Sequence, residues 1–525
     1  MDILSLKDML EHEEDAFNSG LTAESLMEAA GEAMAHRILA LYPQARTYLI
    51  LTGKGNNGGD GLVVTRYLAE AGRHVQAYLT VPEEQLGELP RTRLDRLRDS
   101  FPHVEILSCT HDLTFPGSDG VVIDALLGVQ ARGVLRSTLG SLIARLNTAR
   151  EARFFRTVAL DLPTGLAAYA EGHAPADRDD AVVADITLAV GFAKDVLCRE
   201  ALSNWVGRLE VVPWGDLSTQ PKEQQLLVGP ELTGLLPRRS ALSHKNDFGH
   251  LVIIAGHPGF TGAPILCAQA AQAMGAGLLS IVTRADAYPA VAAGMPPEAM
   301  VSAWPKTGET PEVVQKATTI VIGPGLGADK ETLTMLRAAL AVGCPLLIDA
   351  DGLNVLAKNI DLLSTAKGPI LLTPHPGEMT RLVGCSFKPD EREAVARSFT
   401  EHFPVTLVLK GTRTLVTAHD QPFYLNSTGN PGLSTGGSGD TLSGILGALL
   451  AQGLAPIDAA RLGVWLHGHA ADLVLADRGC EEGITPTLLS AYLGKALVSL
   501  RAQAIPSISL IHRAQQLLSE GQPPA

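Results

Sequence analysis

Cysteine and basic charge are both scarce in this chain, and long uninterrupted apolar runs are missing. Only six cysteines occur among 525 residues, at positions 109, 198, 267, 344, 385 and 480, with no C-x-x-C pair. That spacing argues against a disulfide framework and reads as reduced thiols in a cytoplasmic protein. Lys and Arg number 42 against 56 Asp and Glu, a formal charge of −14. An acidic balance excludes a nucleic-acid backbone as the main partner but leaves room for a local basic pocket around a phosphorylated ligand. The most apolar segment, 264 to 282, is broken by Gln269, Gln272, Gly275 and Gly277, so it reads as a buried helix leading into a strand and no membrane partner is expected. The N-terminus, acidic at Glu11, Glu13, Glu14 and Asp15, has neither the basic start nor the apolar core of a signal peptide.

What is present is the composition of a globular protein, 46% hydrophobic and 19% charged, long enough for about two to four domains. Residues 1 to 42 read as helical, with Leu26, Met27, Ala30, Met34 and Ile38 on one face. Tyr48 to Leu51 reads as a buried strand, Gly53-Lys-Gly-Asn-Asn-Gly-Gly-Asp-Gly61 as a loop and Leu62 to Ala71 as a helix, together a phosphate-cradling turn of the Rossmann type. It is not a Walker A loop, because no Gly-Lys-Ser/Thr closes it. Two further strands, Val121 to Asp124 and Val158 to Asp161, end in aspartates followed by Gly128 and by Pro163-Thr-Gly165. Asp124 and Asp161 either face the same pocket as Asn57 or simply cap the loops that follow.

Between about Pro213 and Ser243 the pattern breaks into a linker and the first loop of a new domain, punctuated by Pro213, Gly215, Pro221, Gly229, Pro230, Gly234 and Pro237. A second α/β series follows, with strands at 250–255, 278–283, 319–322, 345–349, 370–373 and 406–410, each running into a polar or glycine-rich loop. Its focus is Asn430-Pro-Gly-Leu-Ser-Thr-Gly-Gly-Ser-Gly-Asp440, directly ahead of a helix marked by Leu442, Ile445, Leu446, Leu449 and Leu450. Gly436, Gly437 and Gly439 let the backbone approach an anion at a helix N-terminus, and Asp440 sets one carboxylate beside it. That pairing suits phosphoryl transfer to a hydroxyl; the bland alternative is a turn with Asp440 as helix cap. Asp349 and Asp351 either line this edge or cap the next turn, and His467-Gly-His469 is a poor metal pair because residues two apart on a helix diverge.

The first 215 residues resemble the epimerase domain that acts on NAD(P)HX, the hydrated form of NADH and NADPH, through Gly53 to Gly61, Asp124-Ala-Leu-Leu-Gly128 and Asp161-Leu-Pro-Thr-Gly-Leu166. The resemblance implies substrate contacts at Asn56, Asn57, Gly58, Gly59, Asp60 and Asp161. The loop Gly128, Val129, Gln130, Ala131, Arg132, Gly133, Val134 would add more, although it departs from the family's usual Gly-Thr-Gly start. It also implies a potassium site at Asn57, Asp124 and Thr164, the threonine standing where the family usually has serine.

Residues 225 to 500 resemble the ribokinase-like NAD(P)HX dehydratase, through His244 to Gly249, Gly259 to Ala263, Gly323 to Gly327, Asp349 to Asn354, Thr373 to Glu378, Lys410 to Thr414 and the Asn430 stretch, with Asn246 where a glycine is usual. This implies that Ala263, Gly327, His375 and Asp440 meet the hydrated nucleotide and that Lys410, Gly411, Thr412, Arg413, Thr414 and Gly439 hold ADP or AMP, with magnesium accompanying the nucleotide. The expected fold class is α/β in two domains, a Rossmann-like three-layer domain at 1–218 and a ribokinase-like domain at 222–505, followed by a tail at 506–525. Asp440 and Asp161 are the expected catalytic groups, and a cytoplasmic homo-oligomer is expected. The competing readings are a ribokinase-like kinase for a vitamin precursor such as a hydroxymethylpyrimidine, and a scaffold role for the N-terminal half.

Overall fold

A computed structural model describes residues 1–18, 20–131, 135, 137–170, 175–212, 222–236 and 238–502. The punctuated stretch from Pro213 to Pro221, the tail from 506 and the loop residues Arg132, Gly133 and Val134 lie outside the described residues. The chain divides into two compact units, one holding residues 1–222 and the other 223–505.

Among the described residues, the first unit is built on a seven-stranded sheet in the spatial order Glu105–Leu107, His74–Leu79, Thr47–Thr52, Gly120–Ala125, Arg156–Leu160, Ile186–Val190 and Arg208–Val212. Every pairing is parallel. Parallel strands covered on both faces are apolar throughout, and Tyr48, Leu49, Ile50 and Leu51 are each 0–2% exposed. The chain runs outward from Thr47–Thr52, then returns to Gly120–Ala125 on its other side, so the switch point opens at the carboxyl ends of those two strands. A separate two-stranded ribbon pairs Ile3 with Ala193 and Leu4 with Lys194. That strand, followed by helices Leu6–Asn18 and Ala23–Leu41, replaces the continuous helical reading of residues 1 to 42.

The expected loop Gly53 to Gly61 is largely helix, because Asn56–Glu70 forms one helix. Its glycines serve close packing rather than loop flexibility. A Cβ at Gly58 would overlap the Gly53 carbonyl, one at Gly53 would overlap the Leu126 carbonyl, and one at Gly59 would strike Met27.

Among the described residues of the second unit a ten-stranded sheet has the order Gln224–Leu227, Phe423–Asn426, Leu415–Thr417, Val405–Leu409, Ile370–Leu372, Leu346–Ile348, Thr319–Ile322, His250–Ile254, Leu278–Thr283 and Met300–Ala303. Only the pairings of Leu415–Thr417 with its two neighbours are antiparallel. Gln224–Leu227 and the short helix Gly229–Leu232 occupy part of the stretch read from sequence as linker and loop. Helix Ser438–Ala451 lies at the centre of this unit's core with Leu442, Ile445, Leu446, Leu449 and Leu450 all buried. Gly444 brings it against the backbone of helix Gly262–Ala273 at Cys267, and Gly447 brings it onto Leu251 and Val321 of the sheet. Burial of each such leucine or isoleucine contributes about 1.5–3 kcal/mol. The helix start is thereby fixed at the sheet's carboxyl edge.

Candidate active sites

The first site is at the switch point of the N-terminal unit. Strand Gly120–Ala125 delivers Asp124, which is 0% exposed. Its Oδ1 accepts from Thr164 Oγ1 at 2.7 Å and Leu126 N at 3.2 Å, and its Oδ2 from Thr164 N at 2.8 Å. Burial outweighs these hydrogen bonds and pushes the carboxyl up to about 6. No cationic side chain pairs with it among the described residues. Asn57, on the first turn of Asn56–Glu70, donates from Nδ2 to Leu127 O at 3.1 Å, while its Oδ1 is buried with no partner. Gly128 is placed against Asn57, since a Cβ on it would lie 3.5 Å from the asparagine's Cβ. Leu127 N donates to Thr164 Oγ1 at 3.0 Å, so Leu127 links Asn57 to the Thr164–Asp124 pair; an unpartnered amide oxygen, a buried carboxylate and a hydroxyl are hard oxygen donors, and the residues present fit potassium.

Asn56 is exposed at the mouth, and Gly58 and Gly59 form the tightly packed floor. In the following loop Val129 is buried, Gln130 exposed, and Ala131 N turns back to Gly128 O at 3.1 Å. Asp60 is held well above the usual carboxylate range by burial first, then by the charges of Asp161 and Glu13, with Arg93 and Lys194 opposing. Asp161 directly follows strand Arg156–Leu160 with φ of 64°, an uncommon conformation for a non-glycine residue. Its backbone N donates to Leu188 O at 2.8 Å, and its Oδ1 accepts from Val190 N at 3.0 Å and from Lys194 Nζ. It is therefore not a simple cap of the next loop. Lys194 escaped the sequence reading; the available signal was one lysine inside the apolar run from Ile186 to Leu197.

The second site lies where strands Ile370–Leu372, Leu346–Ile348 and Val405–Leu409 end beside the start of helix Ser438–Ala451. Gly437 takes φ of 92° at that start and no side chain caps it; Ser438 N turns back to Thr435 O at 3.3 Å, which leaves the amides of Gly439 and Asp440 facing the loop. Asp440 is the third residue of the helix and makes no capping bond, so the cap reading of this residue is corrected. Burial, then the charge of Asp349, pushes its carboxyl up to about 7 against the pull of Lys410.

Asp349, 2% exposed, is the hub. Its Oδ1 accepts from Lys410 Nζ at 2.8 Å and its Oδ2 from Ser443 Oγ at 2.7 Å. Burial opposes its charge, yet Lys410, Ser443 and Thr373 together hold it below the usual carboxylate range. Gly439 sits over this pair, its absent Cβ position 3.6 Å from Lys410 Nζ and 4.0 Å from Asp349 Oδ2. Beyond Lys410, Gly411 and Thr412 are exposed and Thr414 Oγ1 donates to Gly411 O at 3.1 Å, whereas the Arg413 side chain is buried and its carbonyl accepts from Arg392 at 3.1 Å.

His375 caps helix Pro376–Val383, its Nδ1 accepting from Gly377 N at 3.0 Å and Glu378 N at 3.3 Å. Glu378 returns the bond to His375 N at 2.8 Å and lies 3.8 Å from Lys410, a role in the cluster that sequence reasoning did not assign. Gly327, with φ of 80°, donates to Asp351 Oδ2 at 2.8 Å, so Asp351 braces this loop. Ala263, on the first turn of Gly262–Ala273, meets the same loop, lying 3.0 Å from where a Cβ on Gly325 would be. His467 is buried with Nε2 3.3 Å from Ser438 Oγ, and burial pushes it down to about 4; His469 bonds Ser499 Oγ at 2.9 Å. Among the described residues no group of three or more His, Cys, Asp or Glu is poised for a metal ion, and no helix is long and apolar enough to cross a membrane.

A family model described as NAD(P)H-hydrate dehydratase matches residues 251–495, and one described as YjeF-related protein N-terminus matches residues 23–196. The bifunctional NAD(P)H-hydrate repair enzyme Nnr of Coxiella burnetii is 35% identical over 484 residues, 91% of this chain and 96% of that one. The enzyme of the same name from Escherichia coli K12 is 35% identical over 476 residues, 90% and 89% of the two chains. Among solved structures, the ADP/ATP-dependent NAD(P)H-hydrate dehydratase from Bacillus subtilis co-crystallised with ATP/Mg2+ is 29% identical, with a TM-score of 0.47 over 53% of this chain and 98% of that one. These relatives set aside the vitamin-precursor kinase and the scaffold readings. With one family model on each unit and relatives at 35% identity along about nine-tenths of its length, the chain belongs to the bifunctional NAD(P)H-hydrate repair enzymes, an epimerase half followed by a dehydratase half.

Proposed function

We propose that the C-terminal unit dehydrates the S form of NAD(P)HX at the expense of ADP, releasing AMP and phosphate, and that the N-terminal unit interconverts the R and S forms. The observation that carries the first half is Asp440, a carboxylate raised to about 7 in the first turn of helix Ser438–Ala451, whose Ser443 bonds Asp349 of the Lys410–Asp349 pair. The hydrated ring carries its hydroxyl on the carbon next to the ring nitrogen, and hydroxide is a poor leaving group near neutral pH. Asp440 takes the hydroxyl proton as the phosphoryl group arrives, while the Gly437 and Gly439 amides and the Lys410 ammonium face the charge on the transferring oxygens. The ring nitrogen then expels phosphate, and loss of a proton from the neighbouring carbon restores the dihydronicotinamide.

Lys410, Gly411, Thr412, Arg413, Thr414 and Gly439 hold the adenine nucleotide, and Ala263, Gly327 and His375 hold the substrate. Magnesium would accompany the nucleotide and would supply charge screening for its phosphates. In the N-terminal unit Asn57, Asp124 and Thr164 would hold potassium, which would supply a counter-charge to buried Asp124. Asn56 to Asp60, Gly128 to Val134 and Asp161 receive the substrate. The same reading gives a cytoplasmic homo-oligomer without nucleic-acid or membrane partners.

Separately prepared R and S hydrates, each with and without ADP or ATP, test the assignment through the return of NADH absorbance. Fast recovery is expected from S with ADP, and recovery from R at the pace of epimerisation. Turnover with ATP and none with ADP, or a stable phosphorylated product, overturns it.

A further inference from the structure

Lys194 is 1% exposed, and a buried ammonium is costly unless it is paired and fully hydrogen-bonded. Its partners are Val190 O at 2.8 Å and Asp161 Oδ1. Val190 N donates to the same Oδ1 at 3.0 Å, so one carboxylate oxygen is occupied twice. Oδ2 has no protein partner among the described residues, and the Asp161 side chain keeps 18% of its surface accessible. The residue is thus fixed by one oxygen and presents the other. Lys194 is itself placed by the ribbon in which it pairs with Leu4, just ahead of the helix Leu6–Asn18 that carries Glu13.

We propose that Lys194 is a positioning residue of the epimerase site, holding Asp161 so that Oδ2 serves as the base toward the substrate hydroxyl. The inference rests on the reading of Asp161 as a substrate contact. Inversion at the hydroxyl-bearing carbon proceeds by opening and reclosing the ring. The hydroxyl proton passes to Asp161 Oδ2, a carbonyl forms, and the carbon–nitrogen bond breaks with its electron pair going to nitrogen. The nitrogen takes a proton from Asp60, and closure on the other face returns both protons. The groups facing Asp161 divide the roles. Asp60, on helix Asn56–Glu70, keeps its proton through burial and through the neighbouring Asp161 and Glu13 charges; burial likewise raises Glu13. Lys194 supplies the adjacent positive charge, and Arg93 acts on Asp60.

The test uses the full chain and the pH profile of R-to-S conversion, followed by chromatographic separation of the epimers. Removing a cation from beside a carboxylate favours the protonated acid. Lys194→Met and Lys194→Gln should therefore move the acid limb of kcat upward by about 1–3 pH units and lower the neutral-pH rate at least about tenfold. Lys194→Arg, which retains the charge, should keep the limb near the wild-type position. Melting curves identify a variant that has lost its fold, in which case the Gln and Arg pair decides. An unmoved limb in both neutral variants, or a loss in Arg as deep as in Met, overturns the positioning role. Asp161→Asn is the separating control: if it retains epimerisation, the reading of Asp161 fails, whereas loss in Asp161→Asn with normal Lys194 variants refutes this inference alone.

Discussion

Two aspartates in the dehydratase site share the influence of one lysine, Lys410, and carry opposite charge preferences. Asp349 is held ionised by Lys410, Ser443 and Thr373, whereas Asp440 is raised to about 7 by burial and by Asp349 itself. Such divergence is what allows one carboxylate to organise a site while another moves a proton near neutral pH. For a base with a raised value, the competent ionised form is lost as pH falls. The kcat/KM for dehydration should therefore drop about tenfold per unit below a midpoint near 7, as measured by stopped-time assays of NADH recovery. Asp440→Asn should lower turnover at least about a hundredfold and flatten that limb, with ADP affinity by calorimetry little changed. A variant that dehydrates at the wild-type rate would show that Asp440 is not the base.

At the scale of elements, the helix Lys330–Val342 shows how a cap serves a site. Asp329 Oδ1 accepts from Glu331 N at 3.0 Å, Thr332 N at 3.1 Å and Arg284 at 2.7 Å, while Thr332 Oγ1 donates to Gly327 O at 2.6 Å. The Arg284 guanidinium brings Asp329 down to about 2. A depressed carboxylate stabilises above its unfolded value and loses that contribution as pH falls from about 4 through about 2. Asp329→Ala should cost about 1 kcal/mol at neutral pH and raise KM for the hydrate through the Gly327 loop, the stability difference from wild type shrinking below pH 4. Thermal unfolding across that range checks it. Likewise Gly58→Ala, whose new Cβ would meet the Gly53 carbonyl, should abolish epimerisation and spare dehydration.

The strands that carry these loops were legible in the sequence because central parallel strands are apolar on both faces, as at Leu251 to Ile254. Edge strands such as Gln224–Leu227 and Glu105–Leu107 were not, since one side meets solvent and the runs are short and polar. The glycines at 58 and 59 marked the site correctly but concealed a helix, because close packing and loop flexibility both select glycine. Lys194 was hidden because its partners Asp161 and Leu4 are distant in sequence.

At the scale of the whole molecule, the peptide bond between Lys222 and Glu223 is where the two units part. Lys222 N donates to Asp2 Oδ1 at 3.0 Å and its Nζ lies 3.3 Å from Asp8 Oδ2, both in the first unit. Glu223 O accepts from Phe423 N at 2.8 Å in the second unit, and strand Gln224–Leu227 continues that pairing in parallel register with Phe423–Asn426. Each residue therefore bonds within its own unit, and a chain divided after Lys222 should give fragments 1–222 and 223–525 that fold and act separately. The first should equilibrate the epimers without nucleotide, and the second should consume only the S form with ADP. An equal mixture of epimers given to the second fragment should stop when S is exhausted and resume on addition of the first. Dividing instead after Leu227 would leave the edge of Phe423–Asn426 unpaired, and that shorter C-terminal fragment should aggregate. Soluble, fully active dehydratase from the shorter fragment, or inactivity of both pieces from the cut at Lys222, would refute this placement of the boundary.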